Sequence, residues 1–372
     1  MLNKEWQRVS LGKVVTLHRG FDLPYRERRP GLIPIVTSSG IGDTHAESRV
    51  TGPGVVTGRY GTIGEVFFIE QDFWPLNTTL FVEDFHGNDP LFVSYLLRTI
   101  DFHSHSGKSG VPGVNRNDLH GLEVSRPPLR EQRAIAGALS DVDALIDALT
   151  QLTAKKRDLK QAAMQQLLTG QTRLPGFSRE WEVKRLGDVA ALNRMNVIPA
   201  SSPDQLFDHF SLPAFDAGKV PVVEPGSAIG SNKFRVPQDA ILVSKLNPRI
   251  PRVWAPTEIP AEAIASTEFL VLTAKEGVSR SFLYVICSSP SFCEQMELSA
   301  TGTTGSHQRI SPTGALGLTV SVPVDVDEQT AIAAVRSDID AELAALEQRL
   351  AKTRALKQGM MQELLTGRTR LV

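Results

Sequence analysis

The stretch EQRAIAGALSDVDALIDALTQLTAKKRDLKQAAMQQLLTGQTRL, residues 131–174, returns nearly intact as EQTAIAAVRSDIDAELAALEQRLAKTRALKQGMMQELLTGRTRL, residues 328–371. Aligned without a gap, about 27 of the 44 positions are identical, so the chain is an internal duplication and everything else hangs on two copies of one segment. Apolar residues recur in each copy at heptad spacing. In the first, Ile135, Val142 and Leu149 form one column and Ala138, Leu145, Leu152 and Leu159 the other. The second keeps the stripe with Ile332, Val335, Ile339, Leu343, Leu346, Leu350 and Leu356, and ends on Met360 and Leu364. A 3.5-residue period predicts a long helix with one apolar seam. No proline interrupts the first copy and Gly170 supplies a cap, so at 1.5 Å per residue the helix should run for about 60 Å.

So narrow and long a seam is best buried against its own copy. Helix one leaves the segment before it toward the segment after it, and helix two must return if the seams are to meet. The pair is therefore expected to be an antiparallel coiled coil with a domain at each end. Its expected interface comprises Ile135, Val142, Leu145, Leu149, Leu152, Leu159, Ile332, Ile339, Leu346 and Leu356. Lys156, Thr353, Glu342 and Arg349 interrupt the seam at core-type positions, which costs stability and helps set register.

The chain's 372 residues are enough for two or three domains with their own cores. A formal charge of -1 and a pI near 6.7 exclude a uniformly basic nucleic-acid glove while leaving room for local basic patches. Cys287 and Cys293 sit in an apparent helix with no zinc spacing, and they read as small buried hydrophobes in a reduced, cytoplasmic setting. The first residues, MLNKEWQRVSLG, have no apolar core of a leader, and no run approaches a membrane span.

The repeat extends past the helix. Trp6 with Leu11-Gly12 opens the first half, and Trp181 with Leu186-Gly187 opens the second. Expected boundaries are residues 1–128 for the first domain, 129–174 for the central helix, 175–325 for the second domain and 326–372 for the C-terminal helix. The second domain is the longer, and its extra length is expected in loops. Apolar runs between turn residues predict strands at 32–36, 55–57, 65–69, 79–82, 240–243, 269–272 and 318–322. One helix per domain is expected, near 90–97 and near 281–286. The fold class is then α+β, two strand-rich domains joined by two long helices in pseudo-twofold duplication.

No catalytic constellation emerges. Gly107-Lys108-Ser109 lacks the upstream glycine of a phosphate loop, having Phe102 there. The glycine-rich run 58–64 lies between strands instead of opening a helix. Asn247-Pro248-Arg249 lacks the aromatic residue that would hold a flipped base, and no nucleophile elbow or Ser/His/Asp set appears. His103 and His105 read as surface histidines. What does appear is loop chemistry suited to DNA. Residues 103–117 carry Lys108, Ser109, Asn115 and Arg116; residues 241–256 carry Lys245, Asn247, Arg249 and Arg252; residues 301–311 carry Thr303, Thr304, His307, Gln308 and Arg309. Arg59 and Tyr60 belong to the glycine-rich run. Arg, Lys, Asn and Gln can pair with base edges, while Ser, Thr and glycine amides suit phosphates.

Taken together, the chain resembles specificity (S, or HsdS) subunits of Type I restriction-modification systems. The carrying residues are the PPL-x-EQ-x-x-I-A start at 127–136, its second copy at 323–333, and the LLTG-x-TRL ends beginning at Leu167 and Leu364. Within the domains they are Leu11-Gly12, the run 55–64, and 242–246. The resemblance implies two target recognition domains on an antiparallel coiled coil, each reading half of a bipartite, asymmetric double-stranded DNA site. It further implies two modification (M) methyltransferase subunits as partners, with restriction (R) subunits able to join. S-adenosylmethionine would be bound by the M subunits and no cofactor by this chain, which would be a non-catalytic, non-membrane member of the complex. The competing readings are an autonomous DNA-binding coiled-coil scaffold and an enzyme with an unrecognised site. Binding by the pure chain would favour the first, and activity of the pure chain the second.

Overall fold

The computed structural model of the chain describes residues 6–106, 113–302 and 307–371. Contacts divide it into two compact units, one made of residues 1–152 with 346–372 and the other of residues 153–345.

Unit 1 follows the sequence as β1 (Gln7–Ser10), β2 (Thr16–Arg19), β3 (Ile33–Thr37), β4 (Gly40–His45), β5 (Gly54–Gly58), β6 (Val66–Ile69), β7 (Trp74–Pro75), β8 (Thr79–Asp84), α1 (Pro90–Leu97), α2 (Arg116–His120) and β9 (Glu123–Arg126). It then enters the long helix α3 (Leu129–Leu168). Its principal sheet is antiparallel in the order β2-β8-β5-β6, flanked by the small sheet β4-β3-β7 and the pair β1-β9. The run Gly54–Gly58 is buried throughout, as the centre of a covered sheet should be. Asp89 caps α1 by accepting from the Phe92 N–H, and Pro90 occupies its first turn.

Unit 2 comprises β10 (Trp181–Arg185), α4 (Leu186–Val189), β11 (Ala190–Asn193), β12 (Asn196–Val197), β13 (Leu206–Phe210), α5 (Leu212–Asp216), β14 (Val222–Pro225), β15 (Lys233–Arg235), β16 (Ile241–Ser244), β17 (Val253–Trp254), β18 (Ala263–Ser266), β19 (Phe269–Ala274), α6 (Arg280–Cys287), α7 (Pro290–Leu298), α8 (Pro312–Leu316) and β20 (Thr319–Pro323), and then enters the second long helix α9 (Val326–Leu364), whose last turns belong to unit 1. Its principal sheet, β11-β19-β16-β17, repeats the order and antiparallel sense of the first. The extra length of this half is not merely loop: it builds a five-stranded sheet, β12-β15-β18-β13-β14, where unit 1 has three strands.

Each unit completes its core with one end of each long helix. Ile135, Leu139, Leu364 and Leu365 lie in the core of unit 1, and Met164, Leu167, Ile332 and Ala333 in that of unit 2. Fully burying an isoleucine, leucine or methionine side chain stabilises by roughly 1.5–3 kcal/mol. The helices run antiparallel within each unit. In unit 2, Lys156 pairs with Glu342 and Lys160 with Asp340, so one number rises as the other falls. In unit 1, Asp143 pairs with Lys357 at 2.5 Å and Glu131 with Arg370.

The buried seam differs from the expected one by one column. Ile135 and Leu149 are buried, and Val142, Ile339 and Leu346 are half-buried, as their column requires. Leu145, Leu152, Leu159 and Leu356, however, are 40, 44, 54 and 58 % exposed. The second column of α3 is instead Leu139, Ile146, Thr153 and Lys160, four residues after each member of the first and not three. Steps of three and four both return to one helix face, so spacing alone does not distinguish this column from the more leucine-rich one. The helix is rotated so that Leu139 and Leu167 enter the cores of their units. The polar intruders are accommodated locally: Lys156 reaches Glu342, and Thr353, buried, donates its hydroxyl to the Arg349 carbonyl at 2.8 Å.

The duplicated EQ and TRL motifs are clasps. Glu131 and Glu328 are each 1 % exposed. Arg370 forks onto Glu131, while the Trp6 indole N–H donates to the same carboxylate at 2.9 Å. Arg173 forks onto Glu328 at 2.6 and 2.7 Å, with Trp181 Nε1 donating at 3.4 Å. The neighbouring glutamines repeat the logic. Gln132 donates to the Pro127 carbonyl at 2.9 Å and accepts from the Asp89 N–H at 2.9 Å. Gln329 donates to the Pro323 carbonyl at 2.9 Å and accepts from the Ser279 N–H at 2.8 Å. Buried polar groups of this kind are tolerable only when satisfied, and these are. No helix among the described residues is long and apolar enough to cross a membrane.

Candidate nucleic-acid interface

The central strand of each principal sheet ends in a small residue followed by a long cation: Gly58-Arg59 after β5 and Ser244-Lys245 at the end of β16. The backbone frames around them are the same. Arg59 donates its N–H to the Thr78 carbonyl at 2.8 Å and accepts the Val114 N–H at 3.0 Å. Lys245 donates to the Glu268 carbonyl at 2.9 Å and accepts the Ile310 N–H at 3.1 Å. Antiparallel bridges follow in each, Tyr60 with Gly113 and Leu246 with Arg309. A capped short helix comes next, α2 behind Asn115 and α8 behind Ser311. Two loops distant in sequence are thus brought together twice.

In unit 1 the frame opens into a cleft of about 590 Å³ lined by His18, Arg19, Arg59, Tyr60, Leu80, Gly113, Val114, Asn115 and Arg116, with no acidic residue among them. The Arg59 guanidinium lies 4.6 Å from the centroid of the Tyr60 ring, a cation–π contact that holds both at the rim. Tyr60 rests on Gly113, where an added Cβ would come within 2.2 Å of its ring. Gly58 is equally committed: a Cβ there would meet the Thr62 carbonyl oxygen at 1.7 Å. The glycine-rich run is therefore a tight turn that presents Arg59 and Tyr60. Arg116 donates to the Leu17 carbonyl at 3.4 Å, and the Asn115 side chain accepts from the Asn117 N–H at 3.0 Å. Beside them, His120 Nε2 accepts the Leu17 N–H at 2.9 Å, and burial followed by the charges of Arg116 and His86 pulls its pKa down, favouring the neutral ring.

In unit 2 the loops holding Lys245 and Asn247 meet those holding His307, Gln308 and Arg309, with the Asn247 N–H donating to the Gln308 carbonyl at 2.7 Å. Asn247 has φ +50°, the left-handed region asparagine tolerates, and its carbonyl accepts the Ile250 N–H at 2.9 Å to close a turn. Among the described residues its Oδ1 is buried without a hydrogen-bond partner. Arg249 is exposed on that turn. Arg309 forks onto Glu268, with Nε to Oε2 at 3.1 Å and Nη2 to Oε1 at 3.2 Å. Arg252 is committed elsewhere: it binds Asp216 through Nε at 2.8 Å and Nη2 at 2.9 Å. That hydrogen-bonded pairing raises the arginine's pKa and lowers the aspartate's.

The frames thus collect Arg59, Tyr60, Asn115 and Arg116 in one unit and Lys245, Asn247, Gln308 and Arg309 in the other. Lys108, Ser109, Thr303 and Thr304 lie outside the described residues. Sequence reasoning missed His18 and Arg19 of β2, which reach the cleft only because β2 lies two strands from β5, and it missed Glu268. A usable signal was present: each half has an apolar strand ending in a small residue and a cation.

Residues 3–157 match the family model of the Type I restriction modification DNA specificity domain. The chain resembles a Type I restriction-modification specificity subunit. A curated relative, the Type I restriction enzyme MjaVIII specificity subunit of Methanocaldococcus jannaschii, is 28 % identical over 108 residues, covering 27 % of this chain and about a quarter, 25 %, of that one. Among solved structures, the S subunit of a Type I system from M. genitalium superposes with a TM-score of 0.65 at 15 % identity, covering 98 % of both chains. A chain from a study of complex assembly and conformational transition of the Type I R-M system gives 0.57 at 17 % identity, covering 99 % of both. The chain has the fold of specificity subunits.

Proposed function

We propose that this chain is the DNA-specificity subunit of a Type I restriction-modification complex. The carrying observation is that one backbone frame occurs in both units with different side chains on it: Arg59, Tyr60 and Gly113 in unit 1, Lys245, Leu246 and Arg309 in unit 2. A shared scaffold with divergent exposed groups fits one task, groove reading, performed on two different half-sites. The recognition domains on this reading are residues 1–128 and 175–325. The chain carries no catalytic step; two M subunits bind S-adenosylmethionine and methylate adenine at the site it selects, R subunits join for restriction, and the complex acts on cytoplasmic double-stranded DNA. A formal charge of -1 gives the chain little general attraction to phosphate, so M subunits enclosing the DNA supply much of the affinity.

The test is co-expression with the M subunit in a host free of other adenine methylation, followed by genome-wide mapping of methylated adenine with and without this chain. An interrupted, asymmetric motif that depends on the chain is expected. Unchanged methylation without it would overturn the reading, and sequence-specific binding by the chain alone with no effect on methylation would point to an autonomous scaffold.

A further inference from the structure

The equivalence of the two frames isolates a side-chain pair present in only one. Thr78 and Glu268 stand at the same place, each giving its carbonyl to the cation that ends the central strand, and Gly113 and Arg309 occupy the same bridge. Unit 2 therefore has a carboxylate and a guanidinium where unit 1 has a hydroxyl and no side chain. The two groups face each other edge on, Arg309 Nε and Nη2 on the Glu268 oxygens at 3.1 and 3.2 Å, while Nη1 reaches the His307 carbonyl at 3.4 Å.

A guanidinium has five N–H groups. These contacts use one on Nε, one on Nη2 and one on Nη1, which leaves one N–H on each terminal nitrogen. The Arg309 side chain is 46 % exposed and that of Glu268 27 %, so the guanidinium keeps access to solvent while its carboxylate partner is the more buried of the two. Two donors on adjacent terminal nitrogens match the O6 and N7 acceptors that guanine displays in the major groove. A fork held in place before binding loses little side-chain freedom on contact. The carboxylate also offsets the guanidinium charge, so the pair adds little to indiscriminate attraction to phosphate.

Resting on the specificity-subunit reading, we propose that Arg309 recognises a guanine in the half-site bound by unit 2, with Glu268 as its positioning residue. The experiment uses the assembled complex with its M subunits. Methylated-adenine mapping gives the motif, and competition binding against duplexes substituted one base at a time gives the discrimination at each position. The wild-type motif is expected to contain a guanine whose replacement is discriminated roughly 5- to 150-fold. Arg309→Lys should remove most of that preference at this base alone, and the near-isosteric Glu268→Gln should weaken it at the same base. If Arg309→Lys fails to assemble, Glu268→Gln decides.

Uniform weakening at every position would make Arg309 a phosphate contact and overturn the proposal. Tighter binding by Glu268→Gln with the motif unchanged would make Glu268 a lock rather than a buttress, and would also overturn it. A wild-type complex that yields no chain-dependent motif refutes the specificity reading itself, a separate result.

Discussion

Replacing Glu131 by alanine tests the clasp that closes unit 1. The side chain is 1 % exposed and takes the Arg370 fork together with the Trp6 indole N–H at 2.9 Å. Removing one partner of a buried pair costs about 3–5 kcal/mol because the other charge is stranded. Arg370 keeps 21 % side-chain exposure and can regain some water, so the lower figure, about 3 kcal/mol, applies. Hydrogen exchange read by mass spectrometry should then speed by roughly two orders of magnitude in the first turns of α3 and in residues 364–371, wherever exchange occurs by local opening. Peptides of unit 2, closed by its own Glu328 and Arg173, should be unaffected. Acid should mimic the substitution. Burial pushes the Glu131 carboxyl up, but hydrogen bonds from Arg370 and Trp6 and the charge of Arg370 outweigh it, so the pKa lies below its ordinary 4.5. The unfolded chain thus takes up the proton first: the stabilisation is complete above the ordinary value and is lost as pH falls through the folded-state one. Exchange unchanged in Glu131→Ala, or quickened equally in both units, would refute the assignment.

Leu149→Asp and Leu152→Asp, three residues apart, should behave oppositely: the first buries an unpaired carboxylate at a site 4 % exposed and should cost several kcal/mol, while the second, at 44 %, should stay within about 0.5 kcal/mol, as thermal unfolding can show. Arg59→Ala and Lys245→Ala remove cations at equivalent positions of the two frames, and if both anchor phosphate, each should weaken DNA binding by the complex across all sequences and lower the slope of log affinity against log salt by about one. Discrimination lost in one half-site alone would make the residue a base reader.

The sequence by itself determined the duplication, the two long helices, the α+β class of both halves with seven of the twenty strands among the described residues, and the polar loops that the two frames bring together. Such features are written locally, in heptad spacing, strand alternation and the recurrence of EQ and TRL. Tertiary structure decided which helix column is inside. Steps of three and four residues return to the same face, so Leu145, Leu152 and Leu159 were as eligible as Leu139, Ile146 and Thr153 until the unit cores claimed Leu139 and Leu167. It also decided which cations are available. Arg252 and Arg309 look alike in the chain, yet Arg252 is 15 % exposed on Asp216, 36 residues away, whereas Arg309 on Glu268, 41 residues away, keeps 46 % and an open donor edge. Pairings across such separations depend on strand order and loop closure, which no local pattern records, and it is they that gather scattered polar residues onto two similar loop frames.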